Sequence, residues 1–190
     1  LLKNLLMFPD SQIFWANRCL RGARKQGLIA SSNSVLITTS PIQSVHVAAL
    51  RAKSRGVLKA RWIMDMRDPW TNDPGNVYPP KWPHCLHKRE VLLEKRCIQN
   101  ADAVVCATPG MAALYRDVTC PVYTILNGYP RADYVARGNA TSGLVKRIRY
   151  FGKIIPGLRD PSLLFSAVGK LGLTCVRFEF WSDQVEYVGA

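Results

Sequence analysis

Six short apolar, β-branched runs recur along this chain with helical patterns between most of them. They are "SVLITT" (34–39), "ARWIMDM" (60–66), "DAVVCA" (102–107), "VYTIL" (122–126), "IRYFG" (148–152) and "VRFEFW" (176–181). Few architectures accept that alternation. It predicts an α/β fold whose strands form a parallel sheet of Rossmann type, because each crossover helix returns the chain to the same sheet edge.

The helices are predicted from period and punctuation. Over 11–27, Ile13, Ala16, Leu20 and Ala23 share one face, with Arg18, Arg21 and Lys25 on another. Residues 41–55 follow Ser40 as expected N-cap, Pro41 at the first helical position and Gln43 in an S-x-x-Q capping box, with Gly56 as the stop. Residues 84–100 form a longer amphipathic stretch. Thr108-Pro109 opens a short helix to about Tyr115, and Asp160-Pro161 opens one over 160–171. Residues 128–146 are polar, glycine-bearing and without period. They read as a linker between a first domain, 1–127, and the beginning of a second, 147–190.

Charge is the unusual part of the composition. The 190 residues carry 26 basic and 13 acidic side chains, a formal +13. Residues 1–100 hold 16 basic and 6 acidic groups, so the first half should present a positive field to phosphorylated substrates, anionic lipid or nucleic acid. The six cysteines form no C-x-x-C and sit at no metal-like spacing, which reads as free thiols in a reducing compartment. No apolar run reaches the length of a membrane span.

In open parallel sheets, ligands bind beyond the carboxyl ends of the strands. Those ends collect Ser40, with His46 further along the next helix; Asp65, Arg67 and Asp68; Thr108; Asn127; and Gly152-Lys153. Each has a plainer structural reading. Asp65 and Arg67 suit an ion pair, Asp68-Pro69 a turn, His46 a core position, Ser40 and Thr108 helix caps, and Asn127-Gly128 a turn. Their common location makes them candidates together.

Six blocks in register resemble one family: "FPDSQIFW" (8–15), "ITTSPIQSVHVAAL" (37–50), "WIMDMRDPW" (62–70), "LEKRCIQNADAVVCATPGM" (93–111), "ILNGYPRADY" (125–134) and "IRYFGKI" (148–154). They are similar to the nucleotide-sugar glycosyltransferases of family 4, retaining enzymes with the two-domain GT-B fold. The resemblance implies two Rossmann-like domains facing across a cleft, with acceptor on the first and donor mostly on the second. It implies that 1–127 is the later part of the first domain, without its opening strand and glycine-rich loop. The donor-binding E-x7-E motif would then lie beyond Ala190, and these 190 residues alone are expected to be inactive.

The resemblance also implies roles. Gly152, Lys153 and Arg159 of "GKIIPGLR" match a pair of cations that binds the donor diphosphate, with arginine at 159 where lysine is usual. Ser40, His46, Asp65, Arg67, Asp68, Thr108 and Asn127 become candidates for acceptor or sugar contacts. No protein general base is named, because the donor phosphate of such enzymes is thought to take the acceptor proton. The nucleotide sugar is a substrate; no cofactor and no metal are expected. The expected partners are that donor and a glycan or lipid-linked acceptor of bacterial cell-surface synthesis. The basic helix, with Arg18, Arg21, Arg24 and Lys25 beside Ile13, Phe14 and Trp15, suits an anionic membrane, which places the protein in the cytoplasm or at the inner face of the plasma membrane.

Two other classes compete. The +13 charge suits a non-catalytic nucleic-acid-binding module, but the basic residues do not alternate with aromatics on strands, and no helix-turn-helix or RNA-recognition signature occurs, so no specific nucleic acid is expected. A sugar-nucleotide epimerase shares the GT-B architecture, and the "DMRDPW" block fits it poorly.

Overall fold

A computed structural model describes residues 7–71, 84–128, 146–154, 159–172 and 174–182. The chain divides into two compact units, Leu1–Tyr129 and Pro130–Ala190. The expected linker, apart from its end residues 128 and 146, lies outside the described residues.

In the first unit the order is α1 (Ile13–Lys25), β1 (Val35–Thr39), α2 (Gln43–Ser54), β2 (Arg61–Met66), α3 (His84–Asn100), β3 (Ala103–Cys106), α4 (Pro109–Leu114) and β4 (Val122–Thr124). The four strands pair in sequence order, all parallel. This is an α/β unit compatible with a Rossmann-like fold. Side chains alternate across a strand, and the face bearing Thr38, Trp62, Met64, Met66, Val104 and Cys106 is buried under the helices. The opposite face leaves Val35, Ile37 and Tyr123 exposed.

The helices follow their apolar stripes. Ile13 and Ala16 of α1 are buried, with Leu20 and Ala23 packed against the core, as the period predicts. α2 is buried along much of its length, from Ser44 to Ala52. Gly56, at φ 67°, ends it, since that left-handed conformation costs glycine little. The free thiols of Cys97 and Cys106 lie inside, whereas Cys19 and Cys175 are exposed. Burial pushes the Cys106 thiol up to about 11, so it stays protonated and unreactive.

The second unit contains β5 (Lys146–Phe151), α5 (Ser162–Leu171) and β6 (Val176–Trp181). β5 and β6 are parallel, and Phe165 of α5 meets Phe178 and Phe180 edge-on at 5.8 and 5.4 Å. Asp160 opens α5 by accepting hydrogen bonds from the amide and hydroxyl of Ser162. Gly172 closes it in the left-handed conformation. Among the described residues no helix is long and apolar enough to cross a membrane.

Candidate functional site

β1 and β2 end side by side, with Thr39 opposite Asp65. The chain leaving β2 then turns across the end of β1. The Ser40 amide donates to the Asp65 carbonyl at 2.9 Å, and the Ser40 hydroxyl accepts from the amides of Arg67 and Asp68 at 2.7 and 3.3 Å. Ser40 therefore does not cap α2, contrary to the sequence expectation. Its oxygen is occupied by the neighbouring loop, and Ile42 holds the N-cap position without a side-chain hydrogen bond.

Asp10 supplies the missing cap from a distant segment. Its carboxylate accepts from the Ser44 amide and hydroxyl, each at 2.8 Å, and from the Gln12 amide at 2.8 Å. One side chain thus ties the entry to α1 to the first turn of α2.

Asp65 is buried at the strand end, and its Oδ2 accepts from Arg67 Nε at 2.9 Å. Arg67 Nη1 donates to Asn127 Oδ1 beyond β4 at 2.7 Å. A continuous polar path therefore runs Ser40, Arg67, Asp65 and Asn127 across the carboxyl end of the sheet. The second carboxylate oxygen of Asp65 is buried and has no hydrogen-bond partner among the described residues. An orphaned buried acceptor is costly, about 1–3 kcal/mol, so this oxygen calls for a donor from water or from a ligand. The Asp68 side chain is exposed beside this path.

His46 is placed differently. It is fully buried in α2, and its Nδ1 lies 2.7 Å from Thr38 Oγ1, which accepts from Trp62 Nε1 at 2.8 Å. We assign the Thr38 hydroxyl proton to His46 Nδ1, which leaves the ring proton on Nε2. Burial lowers the His46 pKa from 6.5 to about 3, so the ring is neutral near pH 7. Its Nε2 and the Gln43 Oε1 on the same first turns of α2 are buried without partners among the described residues. The Trp70 ring lies 6.2 Å from the imidazole.

The loop after β2 is also clamped from α3, which sequence reasoning missed. Trp70 Nε1 donates to Glu90 Oε1 at 3.0 Å. Buried Glu94 accepts from the Thr71 amide and hydroxyl and from the Tyr115 hydroxyl at 2.8 Å. Burial raises the Glu94 pKa against the lowering effect of those donors. The available signal was a carboxylate inside the apolar stripe "VLLEKRCI". Thr108 acts as the expected cap, its hydroxyl accepting from the Met111 amide at 3.2 Å. That oxygen serves α4 and makes no hydrogen bond to the Ser40–Asn127 path among the described residues.

In the second unit, Gly152 has φ 153°, and a Cβ there would stand 3.0 Å from the Tyr150 hydroxyl. That hydroxyl donates to the Lys153 carbonyl at 2.8 Å, fixing the turn after β5. Arg159 lines a cavity of about 700 Å³ with Ile148, Tyr150, Ile154, Leu164 and Phe180, among others. Residues 155–158 between the two cations lie outside the described residues.

No protein-family model matches this chain, and no curated protein matches it either.

Proposed function

We propose that the protein is a retaining glycosyltransferase of the GT-B kind, moving a sugar from a nucleoside diphosphate donor to a hydroxyl acceptor. The observation that carries this reading is Asp65, a buried carboxylate at a parallel-sheet end with one oxygen bound to Arg67 and the other without a partner among the described residues. Such an oxygen accepts a hydroxyl proton in a hydrogen bond, and sugars offer hydroxyls in quantity.

The six sequence blocks that resemble family 4 supply the reaction class. On this reading Ser40, Arg67 and Asn127 hold Asp65 in one orientation, while neutral His46 contributes a donor without adding charge near the sugar. Gly152, Lys153 and Arg159 bind the diphosphate, where two cations stabilise charge developing on the leaving nucleoside diphosphate without a metal. A glycan or lipid-linked acceptor fits the first unit, and the exposed Phe14 and Trp15 on basic α1 suit approach to an anionic membrane.

Calorimetric titration with nucleoside diphosphates and their sugar conjugates tests this reading. Saturable binding that Lys153→Ala abolishes, and sugar-dependent binding that Asp65→Asn weakens, are expected. Indifference of the protein expressed from its complete reading frame to every nucleotide sugar would overturn it. Tight duplex DNA binding with a steep salt slope would favour the basic-module alternative instead.

A further inference from the structure

Arginines from the helical layer converge away from the strand-end site. A groove of about 590 Å³ between α2 and α3 is lined by Arg51, Arg55, Arg89 and Arg96, over an apolar floor that includes Phe8 and Leu50. An adjoining depression of about 290 Å³ adds Arg21 of α1 to Arg51 and Arg55. Among the described residues no carboxylate lines either one. Among the described residues none of the five arginines forms an ion pair with Asp or Glu. The carboxylates of α3 are turned to Trp70, His87, Thr71 and Tyr115 instead.

Like charges brought together without a counter-charge repel, and the repulsion is felt here. Burial lowers the Arg51 pKa, with Arg55 and Arg89 adding to the effect. Arg89 is held over the Phe8 ring at 5.4 Å, a cation–π contact at the groove. Among the described residues every cation lining the groove is arginine although the chain also contains lysines, and the planar guanidinium fork matches phosphate oxygens two at a time. The last turn of α2, which carries Arg51, stands about 12 Å along the helix from Gln43 in its first turn.

We propose that this groove is a second anion site, independent of sugar transfer, which takes a phosphate monoester or diphosphate group. A lipid headgroup and a free phosphorylated metabolite share that chemistry.

The probe is inorganic pyrophosphate, titrated calorimetrically into the 190-residue chain at about 0.15 M salt. Arg51→Gln/Arg89→Gln is compared with Arg18→Gln/Lys25→Gln, which removes the same charge from exposed α1 positions outside the groove. The groove pair is expected to raise Kd by about tenfold or more and the control pair by less than about twofold. Equal weakening in both, or no binding by the unaltered chain, would overturn the proposal. So would binding that Lys153→Gln abolishes while the groove pair leaves it intact, because the anion would then sit at the donor site. Vesicles of phosphatidylglycerol and phosphatidylcholine separate the sources. Binding that pyrophosphate displaces and the groove pair weakens identifies a lipid headgroup; pyrophosphate binding without vesicle binding identifies the soluble form. Circular dichroism of each variant verifies that it is folded.

Discussion

Ser44, in the first turn of α2, donates both its amide and its hydroxyl proton to Asp10, 34 residues earlier in the chain. Ser44 is fully buried, so these protons have no water to turn to. The pair joins two helices and sets the start of α2 beside the end of β1, where the candidate site lies.

Replacing that carboxylate should therefore cost more than an ordinary surface change. Asp10→Ala is expected to lower stability by about 1–3 kcal/mol, combining a lost helix cap with a buried hydroxyl left unsatisfied. Urea denaturation followed by circular dichroism measures it; Asp10→Asn, which keeps acceptor capacity, should recover part of the loss. A loss below about 0.5 kcal/mol would show that the cap is not needed.

His46 predicts a pH dependence with a definite sign. Its folded pKa, about 3, lies below the ordinary 6.5, so between those values the unfolded chain binds the extra proton. Its contribution to stability is present above pH 6.5 and is lost as pH falls toward 3, at up to about 1.4 kcal/mol per unit. Glu94, with a raised pKa, has the opposite sign in the acid range. Comparing the protein with His46→Gln across that window isolates the histidine. Identical pH profiles would contradict the burial assigned to it.

Arg67 should matter more for function than for folding. Its fork spans Asp65 and Asn127, and lysine cannot make both contacts with fixed geometry. On the proposed function, Arg67→Lys is expected to reduce transfer about tenfold to a hundredfold while moving the unfolding midpoint little. A matching collapse of stability would make the residue structural only.

Gly152→Ala probes the second unit. The backbone at φ 153° disfavours any Cβ, and that atom would press on the Tyr150 hydroxyl at 3.0 Å. A destabilisation of about 1 kcal/mol or more is expected, read as faster amide exchange in β5 and β6. Nucleoside diphosphate affinity should fall with it. Unchanged exchange would show that the turn relaxes freely.

Periodicity carried most of the fold. The five helices and six strands of the described residues lie within or overlap the stretches where apolar spacing puts them, because burial of one face leaves a regular trace in sequence. β3 and β4 are each two residues shorter than expected; β4 ends at Thr124, although the Ile125 amide still bonds to the Cys106 carbonyl at 3.0 Å. The site was legible only as positions. Strand ends named Ser40, Asp65, Arg67 and Asn127, which the fold then joined by hydrogen bonds. Spacing could not reveal which groups meet across long separations: Asp10 with Ser44, Thr38 with His46 and Trp62, or Glu94 with Thr71 and Tyr115. Ser40 shows the reason. Its local pattern favoured a cap, and a tertiary hydrogen bond from Arg67 claimed the same oxygen.

Sugar transfer itself is the most direct test. The protein expressed from its complete reading frame is incubated with nucleoside diphosphate sugars and hydroxyl acceptors, and products are followed by proton magnetic resonance at the anomeric position. The account predicts acceptor-dependent release of a nucleoside diphosphate, with the anomeric configuration of the donor kept in the product and the rate reduced in Asp65→Asn. An inverted product, or no transfer from any donor in a protein that is folded, would contradict it.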